Sequence, residues 1–90
     1  MASEKNIQWE ASTKLKFEQM VEKVPVFLRG MAQEKVEKRA FELVAQDQRT
    51  IIEEKDLVTA FFDATPFGFH GPMKCDMEEL GIDYTKYGFD

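Results

Sequence analysis

The sequence predicts an all-α fold. A small three-helix domain, short, long and short, occupies residues 1–65, and a partly ordered tail rich in aromatics and methionine, residues 66–90, packs on it. Three observations carry this expectation. Apolar residues recur at spacings of three and four in three separate stretches. Pro25 and Pro66 stand where the first and third stretches stop, as expected of a residue that cannot continue a helix. The polar run "AQDQR" interrupts the pattern between the second and third. Eight Phe, five Met and one Trp in ninety residues supply the apolar area for one core and argue against disorder.

The first helix is predicted over Ser12 to Lys23, where Phe17, Met20, Val21 and Val24 form the apolar series and Lys14, Lys16, Glu18 and Glu22 fill the other positions. Pro25 ends it and opens the next, because the first turn of a helix has no use for the missing N–H. The second helix spans Val26 to Gln46. Its apolar face is read as Phe27, Met31, Val36, Ala40, Leu43 and Val44, with Glu34/Lys38 and Lys38/Glu42 as (i, i+4) pairs on the other side. Twenty-odd residues at 1.5 Å each give a spine about 30 Å long. Gly30 lies in its first turns and costs about 1 kcal/mol relative to alanine. A close approach of helix 1 at that point is the expected reason.

After "RTII", a short β-branched run, the acidic Glu53, Glu54 and Asp56 mark the first turn of a third helix, Glu53 to Ala64, with Leu57, Ala60, Phe61 and Ala64 inward. Thr65-Pro66 stops it. In the tail, one helical turn is expected around Met77 to Leu80, closed by Gly81. Phe67, Phe69, Leu80, Ile82, Tyr84, Tyr87 and Phe89 are too many apolar groups for a solvated linker.

Charge and cysteine content exclude several function classes. Twelve Lys and Arg against seventeen Asp and Glu, with no basic stripe, argue against nucleic acid as a partner. No run approaches the 18 or so apolar residues of a membrane span. A single cysteine, Cys75, rules out an internal disulfide, and "MASEKNIQW" does not resemble a signal peptide. A cytoplasmic location is the expectation.

Few residues suggest chemistry. His70, Met73, Cys75 and Met77 place four soft donors within eight residues, a set suited to Cu(I) or another thiophilic ion, although methionines in such a tail also serve as core filler. A Cys75/His70 nucleophilic pair lacks a third group to orient the histidine. The glycines form no phosphate-binding loop. Trp9, Phe27, Arg29 and Gly30 are the more pointed set: a planar guanidinium beside aromatics can present a fork to a carboxylate. The plainer alternative places Trp9 and Phe27 in or at the edge of the core and pairs Arg29 with an acidic neighbour.

"VPVFLRGMAQEKVEKRA", followed by an Ile-containing link and "EEKDLVTAF", resembles the small C-terminal domain of the B subunit of light-independent protochlorophyllide reductase. The matching positions are Val24, Pro25, Phe27, Leu28 and Arg29, then Val36, Glu37 and Ala40, then Ile51 and Glu54. The resemblance implies a non-catalytic helical accessory module of an oxidoreductase system in chlorophyll biosynthesis and photosynthesis. It would dock on a larger reductase-type or tetrapyrrole-binding partner through Trp9, Phe27, Arg29 and Gly30. This chain alone would bind no cofactor; the partner would carry the iron–sulfur cluster or tetrapyrrole. "RTIIEEKDLVTAF" also looks like the end of a histone fold, in which Arg49, seven residues before Asp56, ties a short strand to the last helix. That alternative implies a homodimer without DNA.

Overall fold

The computed structural model describes residues 6–90. A two-residue strand, β1 (Gln8–Trp9), precedes α1 (Ala11–Lys23) and α2 (Val26–Gln46); β2 (Ile51–Ile52) then leads into α3 (Glu54–Ala64). A 3-10 turn, Phe67–Phe69, runs into α4 (His70–Glu79), and a second one, Tyr84–Tyr87, closes the chain. The expected all-α class and the short, long, short order hold. Methionines at 73 and 77, one turn apart, explain why the tail forms a whole helix in place of the single turn expected. Pro72 does not prevent it, because it sits in the first turn, whose N–H groups have no partner inside the helix.

Each junction has a local cause. Val24 and Pro25 are both extended, with ψ near 140°, and they separate α1 from α2 without a loop. After α2, Gln48 adopts a positive φ of 59°, and Arg49 N–H returns to Val44 O at 2.9 Å. The chain then pairs as β2 beside β1 in parallel, Gln8 against Ile51 and Trp9 against Ile52. The N–H of Gln8 donates to Thr50 O at 2.8 Å and that of Glu10 to Ile52 O at 3.0 Å. Asp56 accepts the Glu53 N–H at 2.9 Å, capping α3.

The Arg49–Asp56 tie read from the sequence is present as a two-pronged pair. One guanidinium nitrogen donates to Asp56 Oδ1 at 2.6 Å and the other to Oδ2 at 3.0 Å. Asp56 is buried, and the same guanidinium also donates to Asp47 and Ile51 O. These contacts hold Arg49 protonated, its pKa raised above the ordinary value chiefly by the hydrogen bond to Asp56. Strand, turn and α3 are thereby locked together, although the strands pair within one chain.

The core centres on α3, where Leu57, Val58, Ala60, Phe61 and Phe62 are all buried. Phe17 and Met20 come from α1, Val36, Ala40 and Val44 from α2, and Met73, Met77, Ile82 and Tyr84 from the tail. Gly81, with φ 77°, ends α4, and Ile82 N–H donates to Met77 O at 2.9 Å, so Ile82 turns back onto the helix it follows. Phe89 stacks on Phe62 at 4.2 Å. The tail therefore supplies one wall of the core.

Two expectations for α2 are corrected. Phe27 and Met31 are not on the buried face: they are 85% and 52% exposed. The reason is phase. At roughly 100° per residue, Phe27, nine positions before Val36, lies about 180° around the helix from the Val36, Ala40, Val44 stripe. Gly30 is not a close approach either, since nothing lies within 4 Å of where its Cβ would be.

Candidate functional site

An open apolar groove of about 500 Å³ runs between the start of α2 and the start of α4. Val24 and Pro25 close one end, and the α2 wall continues through Leu28, Met31, Ala32 and Lys35. Those positions are spaced by three and four, a second stripe of α2 that the Val36 face does not include. Opposite stand Pro66, Phe69, Pro72, Met73 and Asp76, and the floor is Phe61 with Val36. Exposed apolar groups adjoin the groove in sequence: Val26 and Phe27 before Leu28, and Phe67, 87% exposed, between Pro66 and Phe69, which is itself 64% exposed. Scattered apolar residues are ordinary on a surface, and Phe67 and Phe69 beside an apolar groove are more than that.

Charge around the groove is divided between its walls. Lys23 at one end forms an ion pair with Glu79 of α4, and this hydrogen bond, more than the nearby charges of Glu79 and Asp76, raises the Lys23 pKa. Lys35 on the α2 wall and Asp76 on the α4 wall take part in no ion pair among the described residues. Beyond Lys35 the surface becomes a shallow polar depression, where Arg39 donates to Asp63 at 2.9 Å and to Glu42 at 3.3 Å.

The structure does not gather Trp9, Phe27, Arg29 and Gly30 into one site. Trp9 stacks on Phe17 at 4.7 Å and tilts against Phe41 at 6.5 Å, so its role is packing. Arg29 points back along the chain: its Nε donates to Val24 O at 2.8 Å and a terminal nitrogen to Glu22 O at 2.7 Å. The fork thus satisfies carbonyls at the C-terminus of α1, where positive charge is also favoured. The expected acidic partner is replaced by backbone. Only Phe27 and Gly30 of the four lie on the open face of α2.

The four soft donors of the tail are dispersed as well. Met73 and Met77 are buried in the core, Cys75 lies exposed on the opposite side of α4, and His70 Nε2 is 2.8 Å from Thr65 O with its ring edge-on to Phe62. Among the described residues no three His, Cys, Asp or Glu side chains are grouped to hold a metal ion. The polar clusters nearby are structural. Tyr84 donates to Glu78 at 2.6 Å and its pKa rises to about 12, first because of that bond. Tyr87 donates to Glu54 at 3.2 Å and also rises to about 12, burial being the larger cause. Both phenols stay protonated at neutral pH.

This arrangement defines a small helical domain with an open apolar groove, and sequence comparison places it in a family. The chain belongs to the family described as "Protein of unknown function (DUF2621)", whose model matches residues 2–89. No curated protein and no solved structure matches it. The family match overturns the resemblance to protochlorophyllide reductase. It extends over the tail that the resemblance left out, and the residues that suggested a reductase domain are those that build a helix–proline–helix corner, with Arg29 satisfying its carbonyls. Leu28, Met31 and Phe69 do not stand out in the sequence as site residues; the signal available for two of them is the spacing 28, 31, 32, 35, which forms a stripe separate from 36, 40 and 44. No helix of the described residues is long and apolar enough to cross a membrane.

Proposed function

We propose that the protein is a non-catalytic interaction module that docks an apolar helical segment of a protein partner in the groove between α2 and α4. The open apolar trough itself carries this reading: two walls with residues at helical spacing, 28, 31, 32 and 35 facing 66, 69, 72 and 76, suit a helix laid between them. Aromatic and methionine side chains such as Phe69 and Met31 give large contact area and adapt to a partner's shape. The exposed thiol of Cys75 suits a reducing compartment such as the cytoplasm.

The test is photocrosslinking in cells that make the protein, with benzoylphenylalanine placed at Phe69 and, as a control on α1, at Glu18. Docking gives a discrete protein adduct from position 69, absent from position 18 and lost when Leu28→Asp is added to a chain with unchanged circular dichroism. Equal labelling from both positions, or an adduct indifferent to Leu28→Asp, would overturn the reading.

A further inference from the structure

We infer that the segment docked in the groove is the first two turns of α2 from a second copy of this chain, so that the protein is a two-fold symmetric dimer; this rests on reading the groove as the docking surface. The chain carries both halves of such a contact. Beside the trough stand exposed apolar groups with no intrachain partner surface, above all Phe27, one turn before Met31 on the same helix. A two-fold axis through the groove inserts each Phe27 into the opposite trough, the self-complementary arrangement that closed dimers use.

Two further observations favour a second copy as the occupant. The walls differ in charge, Lys35 on α2 and Asp76 on α4, neither in an ion pair among the described residues. A two-fold axis lays each α2 wall over the other copy's α4 wall and so opposes the two signs. Next, the size fits. Allowing about 200 Å² for a large side chain, the exposed fractions of Phe27, Leu28, Met31, Phe67 and Phe69 amount to roughly 650 Å². A standard interface takes about 800 Å² from each partner, whereas the largest apolar patch of a typical monomer is about 300 to 600 Å².

Sedimentation equilibrium on the purified chain, from about 1 to about 300 µM, decides the matter. A dimer is expected, with Phe27→Asp weakening it about 30-fold or more, as befits an aromatic anchor at the centre of an interface. Leu15→Asp, at an exposed apolar position of α1 outside the groove, leaves the dimer unchanged. Because Phe27 is exposed, Phe27→Asp keeps the wild-type circular dichroism and thermal transition. A wild-type chain that stays monomeric throughout would sink the dimer, while the adduct from Phe69 in cells, identified by its mass, would still stand or fall as the separate test of docking. A dimer insensitive to Phe27→Asp, or broken by Leu15→Asp instead, would equally overturn this arrangement.

Discussion

Arg29 illustrates how a conspicuous residue can serve the backbone. Its two bonds, to Glu22 O and Val24 O, satisfy carbonyls that the helix end and Pro25 leave without partners. Arg29→Ala is therefore expected to lower stability by about 1 to 2 kcal/mol, somewhat below the roughly 1.5 to 3 kcal/mol of hydrogen bonds from a charged donor because the site is half-exposed. Arg29→Lys should recover only part, since an ammonium lacks the fork; urea unfolding of the three chains reads the difference, and an Arg29→Ala midpoint equal to wild type would contradict it. Two tyrosines make a separate pH prediction. Tyr84 and Tyr87 rise from 10.0 to about 12 in the fold, so the folded state favours their protonated forms. Their contribution is complete below pH 10 and is lost as pH climbs from about 10 to about 12. Lys23, raised by Glu79, acts in the same direction. Urea midpoints should fall over that window, and the double variant Tyr84→Phe with Tyr87→Phe should flatten the fall relative to wild type.

At the level of elements, α2 is legible in the sequence as a helix and illegible in phase. Its period, its start after Pro25 and its end at Gln46 follow from the residues. Which of two apolar stripes faces the core does not, because Phe27 and Met31 are as hydrophobic as Val36 and Val44, and only α3 packing against the latter decides between them. The same ambiguity hides the groove, whose α2 wall is the stripe left over. In the tail, Gly71-Pro72 resembles a loop signal, which favours a single turn over a whole helix; burial of Met73 and Met77 against the other helices overrides that local preference. Gly30 yields a prediction at this scale. In the Phe27→Asp background, where association is removed, Gly30→Ala should raise stability by about 1 kcal/mol and the melting temperature by about 4 to 8 °C. A Gly30→Ala chain that melts no higher in the monomer would mean that the glycine is needed for the fold.

For the molecule as a whole, the decisive link is between the tail and α3. A small domain has little core to lose, and here Met73, Met77, Ile82 and Tyr84 are buried in the same core as Leu57 and Phe62 of α3. Ion pairs and phenol bonds add registration: Lys23 to Glu79 ties α1 to α4, and Tyr87 to Glu54 ties the last turn to the start of α3. Fully burying one large apolar side chain is worth about 1.5 to 3 kcal/mol, so removing four such groups at once, and exposing Phe62 with them, forfeits about 7 to 15 kcal/mol, a loss as large as the whole net stability of about 5 to 15 kcal/mol. A chain ending at Thr65 is therefore expected to lose its cooperative thermal transition and its near-ultraviolet circular dichroism while keeping some helical signal, the behaviour of collapsed helices without fixed packing. The single replacement Met77→Ala, at a site with no exposure, should cost about 2 to 5 kcal/mol and preserve a sharp transition at lower temperature. If the chain ending at Thr65 instead melts cooperatively near the full-length temperature, the three helices form the domain by themselves, and the tail is a docked wall of the groove whose loss would be read in association alone.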